Sequence, residues 1–195
     1  MSDKTKNNLR KIVYFVLFAI MICCFIYLGE KYADNSQEKI LTINDYYNDL
    51  DKKKYEVIRG NKFISLLKKG KNLIFIGNKN SEYSQKYIEE LDKIVKELDI
   101  NKIYYYDIVN DKAQKNSNYY EIRELLKGYL TTTDDSKNNL LAPSFYIIED
   151  GKVRYYNIDT VAMKNTETIE NYWDSEKEFL FKTEITEALN KYYLN

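Results

Sequence analysis

The stretch from Asn72 to Gln85 constrains this chain more than any other. Leu73-Ile74-Phe75-Ile76 is an unbroken apolar run, the pattern of a strand buried on both faces. Gly77 to Asn80 reads as a loop, and Ser81-Glu82-Tyr83-Ser84 opens a periodic segment. In it Tyr83, Tyr87, Ile88, Leu91, Ile94, Val95 and Leu98 recur at helical spacing, while Lys and Glu fill most other positions. On a helix, Ser84, Ile88, Leu91 and Val95 share one narrow stripe. The spacing therefore predicts strand, loop and helix from 73 to 98, with Ser84 facing the core and Ser81 at the helix start, nearer solvent. Downstream, Leu141-Ala142-Pro143-Ser144 carries the one proline of the chain and leads into Phe145-Tyr146-Ile147-Ile148. Asp150-Gly151 then joins strands over 144–148 and 152–158 as a hairpin.

The remaining pattern fills in an α/β order. Residues 42–50 are weakly helical, 55–58 suit an edge strand, and 63–67 a short helix stopped by Gly70. Residues 102–109 read as a strand and 110–118 as a polar loop. A helix is expected over 119–130 with Ile122, Leu125, Leu126 and Tyr129 inward, then a polar loop over 131–139. Residues 159–174 show no period and read as an insertion. A last helix is expected over 176–193, its apolar positions being Phe179, Leu180, Ile185, Ala188, Leu189 and Tyr192. Tyrosine is abundant, at 20 residues. One reading is a sticky aromatic surface. The other is a composition rich in Lys, Asn, Ile and Tyr that resembles an AT-rich bacterial genome.

Together these motifs resemble the thioredoxin-like superfamily. Ile76-Gly77, Ser81, Tyr83, Ser84 and Gln85 are similar, at the same spacing, to a stretch of bacteriocin-accessory thioredoxin-like proteins of bacteria, many of them membrane-anchored. The resemblance implies a thioredoxin-like fold over 55–195, a central mixed sheet flanked by helices, with Pro143 in cis. In that family the strand–helix junction holds Cys-x-x-Cys. Here both positions are serine, Ser81 and Ser84, and Glu82 stands where proline is usual. The resemblance further implies that Ala142, Pro143, Glu82 and Tyr83 form a shallow peptide-accepting groove beside these degenerate positions.

The serines remove the family's chemistry. Disulfide exchange needs a thiolate, which the helix start stabilises by lowering a cysteine's pKa; a hydroxyl has no disulfide state. Ser81 reads either as an N-cap or as a hydroxyl that contacts a bound segment. As a nucleophile it needs a base, and with no histidine in the chain only Lys79 and Lys86 are near in sequence. The absence of histidine also excludes Ser-His-Asp catalysis and imidazole metal ligation, and there is no Gly-rich phosphate loop. No catalytic residue, metal or cofactor is expected.

Residues 12–28 form an apolar run with no charged side chain, long enough with Gly29 and flanking Lys11 and Lys31 to span a bilayer. Residues 1–11 carry four basic side chains and one acidic, so the positive-inside rule sets them in the cytoplasm and the rest outside. A cleaved signal is the rival reading, but no Ala-x-Ala site follows. A lipoprotein would need a small residue before Cys23, where Ile22 stands. Cys23 and Cys24 are the only cysteines, so the exported part has no thiol. The expected layout is a cytoplasmic tail over 1–11, a transmembrane helix over 12–29, a linker with a short helix over 30–54, and an extracytoplasmic domain over 55–195 at a bacterial cell membrane. Residues 12–195 carry a mild negative charge, which argues against a nucleic-acid partner. The expected partners are the membrane and an exported peptide or membrane protein. The function expected is non-enzymatic: a redox-inactive protein that binds or assembles such a partner in bacteriocin-type export. Two alternatives stay open, an oxidoreductase-family protein with a residual or partner-dependent redox role, and a structural ectodomain of a membrane complex.

Overall fold

The computed structural model describes residues 14–18, 20–22, 41–130, 139–158 and 168–194. The chain divides into two compact units, 1–40 and 41–195. In the first, residues 14–18 and 20–22 are helical, with exposed apolar side chains such as Tyr14, Phe15 and Phe18. Among the described residues no helix is long and apolar enough to cross a membrane. The expected span over 12–29 extends past the described residues at both ends, and Cys23 and Cys24 lie outside them.

The second unit is built on five strands: β1 (Tyr55–Ile58), β2 (Lys71–Gly77), β3 (Ile103–Asp107), β4 (Ser144–Glu149) and β5 (Lys152–Asn157). Their order across the sheet is β1-β3-β2-β4-β5. β1 and β2 run parallel to β3, whereas β4 is antiparallel to β2 and to β5. The helices are α1 (Gly60–Lys68), α2 (Glu82–Glu97), α3 (Val109–Gln114), α4 (Ser117–Leu125), α5 (Ile169–Tyr172) and α6 (Ser175–Leu189). This is an α/β fold with a mixed sheet flanked by helices, compatible with the thioredoxin-like arrangement.

β2 lies at the centre of the sheet, and its apolar run splits between two cores because alternate side chains point to opposite faces. Leu73 and Phe75 join Tyr87, Ile88, Leu91 and Val95 of α2, with Phe181 and Ile185 of α6. Ile74 and Ile76 join Phe63 of α1 and Ile122 of α4 on the other face. The predicted stripe of α2 is observed: Ser84, Ile88, Leu91 and Val95 are all fully buried. At the hairpin, Asp150 and Gly151 both have positive φ (46° and 79°), as a tight two-residue turn requires.

Several expectations are corrected. Residues 110–118 are not a loop: α3 ends at a left-handed Lys115, and Asn116 caps α4 by accepting from the Tyr119 N–H. α3 has no buried residue, so it leaves no apolar period to read. Leu125 is exposed and Leu126 takes the core position, because α4 stops at Leu125 and a 3-10 turn over Lys127–Tyr129 follows. Phe179 and Leu180 face solvent, and Phe181 fills the core instead. Part of the expected insertion is ordered as α5, whose start Thr168 caps by accepting from the Asn171 N–H; residues 159–167 lie outside the described residues, as do 131–138 of the loop before Pro143. Residues 42–50 form only a 3-10 turn, Ile43–Asp45, yet Ile43, Tyr47 and Leu50 are buried in the α2-side core. Among the described residues seven tyrosines (Tyr47, Tyr55, Tyr87, Tyr105, Tyr106, Tyr119 and Tyr146) are buried, so much of the tyrosine content is core rather than binding surface.

Candidate functional site

The site lies where β2 and β3 end and α2 begins, the end of a parallel strand pair at which α/β folds form crevices. β2 stops at Gly77. The loop that follows is tied to itself, since Asn78 Oδ1 accepts from the Asn80 N–H at 2.9 Å and the Asn78 carbonyl from the Ser81 N–H at 2.9 Å. Ser81 takes the N-cap position of α2 with extended backbone (φ −111°, ψ 121°). Its side chain makes no capping hydrogen bond, so the capping role open to it in sequence is not used. It is partly exposed.

Ser84 behaves differently. It is fully buried, and its Oγ accepts from the Asn78 N–H at 3.0 Å. The Tyr47 hydroxyl also contacts Ser84 and accepts from the Tyr105 hydroxyl at 3.3 Å. Tyr105, Tyr47 and Ser84 thus form a buried line of hydroxyls that ends on the loop backbone. Burial pushes the Tyr47 and Tyr105 phenols well above their ordinary pKa, so both stay protonated. Gly77 is required by this line: a Cβ there would stand 2.6 Å from the Tyr47 hydroxyl and 2.7 Å from the Tyr105 ring.

Beside the line sits Asp107, the last residue of β3, half-buried, accepting from the Val109 N–H at 2.8 Å. Burial holds its carboxyl above the usual carboxylate range, while its backbone hydrogen bonds and nearby Lys79 pull the other way. The Lys79 ammonium lies 5.9 Å from the Tyr46 ring centroid, and that ring packs edge-on against Tyr105 at 5.0 Å.

The proline segment reaches the same end of the sheet. Ser144 pairs with Ile76 in the antiparallel β2–β4 ladder, so Pro143 and Ala142 run off beside Gly77 and Asn78. The Ala142–Pro143 peptide is cis, as the resemblance implied. Ser144 Oγ donates to the Leu141 carbonyl at 2.8 Å and holds the segment's bend. Ser81, Ser84 and the Ala142–Pro143 pair are therefore brought to one end of the sheet. Glu82 and Tyr83 are exposed on the first turn of α2. Pro143 is buried, and Ala142 packs against the α1-side core, the opposite face from Ser84. Sequence reasoning missed Tyr46, Tyr47 and Asp107, and it read Gly77 only as part of the loop and the motif. The Tyr46-Tyr47 doublet was visible but carried no period, and nothing local tied it to a loop far along the chain.

Among the described residues, no group of three or more acidic or cysteine side chains is arranged to hold a metal ion. In comparisons with known proteins, no family model matches the chain and no curated protein is similar to it in sequence.

Proposed function

We propose that this chain is a redox-inactive thioredoxin-like protein, anchored by residues 12–29 at the outer face of a bacterial membrane, that binds or assembles an exported peptide or a membrane partner. The observation that carries the reading is the division of labour between the two serines. Ser84 is consumed by the fold, whereas Ser81 stands partly exposed at the helix start with its hydroxyl uncommitted to a cap. A groove bounded by Ser81, Glu82, Tyr83 and the Ala142–Pro143 backbone then offers hydrogen bonds and no electron-transfer chemistry. The sheet order and the antiparallel approach of Pro143 to Gly77 support the thioredoxin-like part of the reading. The membrane part rests on the apolar run, and bacteriocin-type export on the resemblance alone.

The test is single-cysteine trapping in the native membrane. Ser81→Cys sets one thiol at the mouth of the groove with no second cysteine in the exported part to resolve a mixed disulfide. It is expected to trap one or a few exported or membrane proteins. Ser84→Cys, buried, and Lys69→Cys, exposed beyond α1 on the other face, are expected to trap far less. Equal trapping by all three variants would refute the groove. Glu82→Arg combined with Tyr83→Ala, both exposed on the first turn of α2, is expected to abolish co-purification of the partner; unchanged co-purification favours a structural ectodomain.

A further inference from the structure

The sheet separates two helical layers of opposite charge. Residues 60–69 carry three lysines and no acid, and residues 109–130 four basic side chains against three acidic. On the other face, residues 82–99 carry six acids against three lysines, and residues 168–194 again six against three. An open groove of about 240 Å³ runs between α2 and α6 on this acidic face, lined by Ile94, Phe179 and Phe181 and edged by Glu90, Glu97 and Glu178 together with Lys93 and Lys182. It begins nine residues beyond Ser81, about 14 Å along the helix axis at the helical rise, and is a separate surface from the serine mouth.

Two observations say what this groove is suited to. Phe179 is 67% exposed and its neighbour Leu180 54%, although α6 buries Phe181, Ile185 and Leu189 completely or nearly so. A bulky apolar pair is thus offered to solvent at the edge of a groove. The rim carboxylates already hold lysines: Glu90 pairs with Lys86 and Lys93, Glu178 with Lys86, and Glu97 with Lys182. The surplus charge remains on residues such as Glu89, Glu176 and Glu187, which are exposed and make no ion pair among the described residues. An anionic lipid surface or a second copy of this face would bring like charge against that surplus. A cationic segment with an apolar stripe complements both features at once.

We propose that the α2–α6 groove docks a cationic amphipathic peptide helix, its apolar side chains against the exposed Phe179 and Leu180 at the groove's edge and its lysines or arginines facing the exposed acids of the same layer, Glu89, Glu176 and Glu187. This surface does not depend on the groove at Ser81.

The chain carries its own reporter. Trp173 is the only tryptophan, is buried, and packs edge-on against Phe181 at 5.0 Å, directly behind the groove. Full-length protein in lipid nanodiscs is titrated with a tryptophan-free amphipathic helix of leucine and lysine, and Trp173 emission is read. The expected result is a saturable change, roughly tenfold weaker for Phe179→Ala and for Glu176→Lys combined with Glu187→Lys. Binding should weaken as salt rises over several Debye lengths of screening, and Lys69→Glu on the opposite layer should leave it unchanged. A leucine–glutamate helix of the same pattern should give no saturable change. Equal affinity for the two peptides, an unchanged constant in Phe179→Ala, or no saturable change with the lysine peptide would overturn the proposal. An emission change that follows protein concentration without peptide would assign the groove to a second copy and overturn it as well.

Discussion

Replacing Ser84 by alanine isolates what the buried hydroxyl does. The Oγ is the acceptor for the Asn78 N–H at 3.0 Å and a neighbour of the Tyr47 hydroxyl. Alanine nearly fills the same volume, so cavity cost is small, but the half-buried loop N–H of Asn78 loses its acceptor. Leaving such a donor unpaired costs about 1–3 kcal/mol. For a domain of this size that is a fall in Tm of roughly 4–8 °C, taking the middle of the range. Ser81→Ala is the matched control. A capping serine costs about 1 kcal/mol when removed, but Ser81 makes no capping bond, so its loss is expected to stay within about 0.5 kcal/mol. The assay is urea unfolding followed by Trp173 emission, with the midpoint shifting and the slope unchanged. Tyr47→Phe closes a double-mutant cycle: because Tyr47 and Ser84 share one hydroxyl line, their effects should couple by about 0.5 kcal/mol or more. A neutral Ser84→Ala, a costly Ser81→Ala, or strict additivity with Tyr47→Phe would refute the division of roles.

Other outcomes follow from the same geometry. Gly77→Ala drives a Cβ to 2.6 Å from the Tyr47 hydroxyl. It is expected to cost about 1–3 kcal/mol by overpacking, with part of the loss recovered in the Gly77→Ala, Tyr47→Phe double variant, measured by urea midpoints. Asp107 has its folded pKa raised, chiefly by burial. Its contribution to stability is therefore fully present below the unfolded carboxylate pKa and is lost as pH rises through the folded value. Asp107→Asn should accordingly stabilise the protein at pH 7 and leave its stability near pH 3 unchanged; equal effects at both pH values would contradict the assignment. Ser81→Cys with Ser84→Cys should form a disulfide reducible by dithiothreitol, read as a mass change after alkylation, and a folded double variant that keeps two free thiols would show that the turn does not bring the two positions together.

Where a local pattern repeats, the sequence was enough. The apolar run 73–76, the stripe Ser84-Ile88-Leu91-Val95 and the Asp150-Gly151 turn each report their own surroundings, because burial on a strand or helix imposes a fixed period and a two-residue hairpin needs positive φ. That same period placed Ser84 inside and Ser81 outside. What it could not reach was anything assembled from distant segments. α3 buries nothing and has no period to show. Phe179, Leu180 and Phe181 are consecutive and apolar alike, and only the packing of α6 against α2 and Trp173 chose Phe181 for the core. Tyr47 meets Ser84 and Tyr105 across 37 and 58 positions of chain, so no neighbouring residue announces the contact. The charge of the two faces was likewise invisible in a net charge of zero. It emerges only because the right-handed crossovers of the parallel strands send α1 and α2 to opposite faces of the sheet, and the fold then sorts lysine-rich segments from glutamate-rich ones.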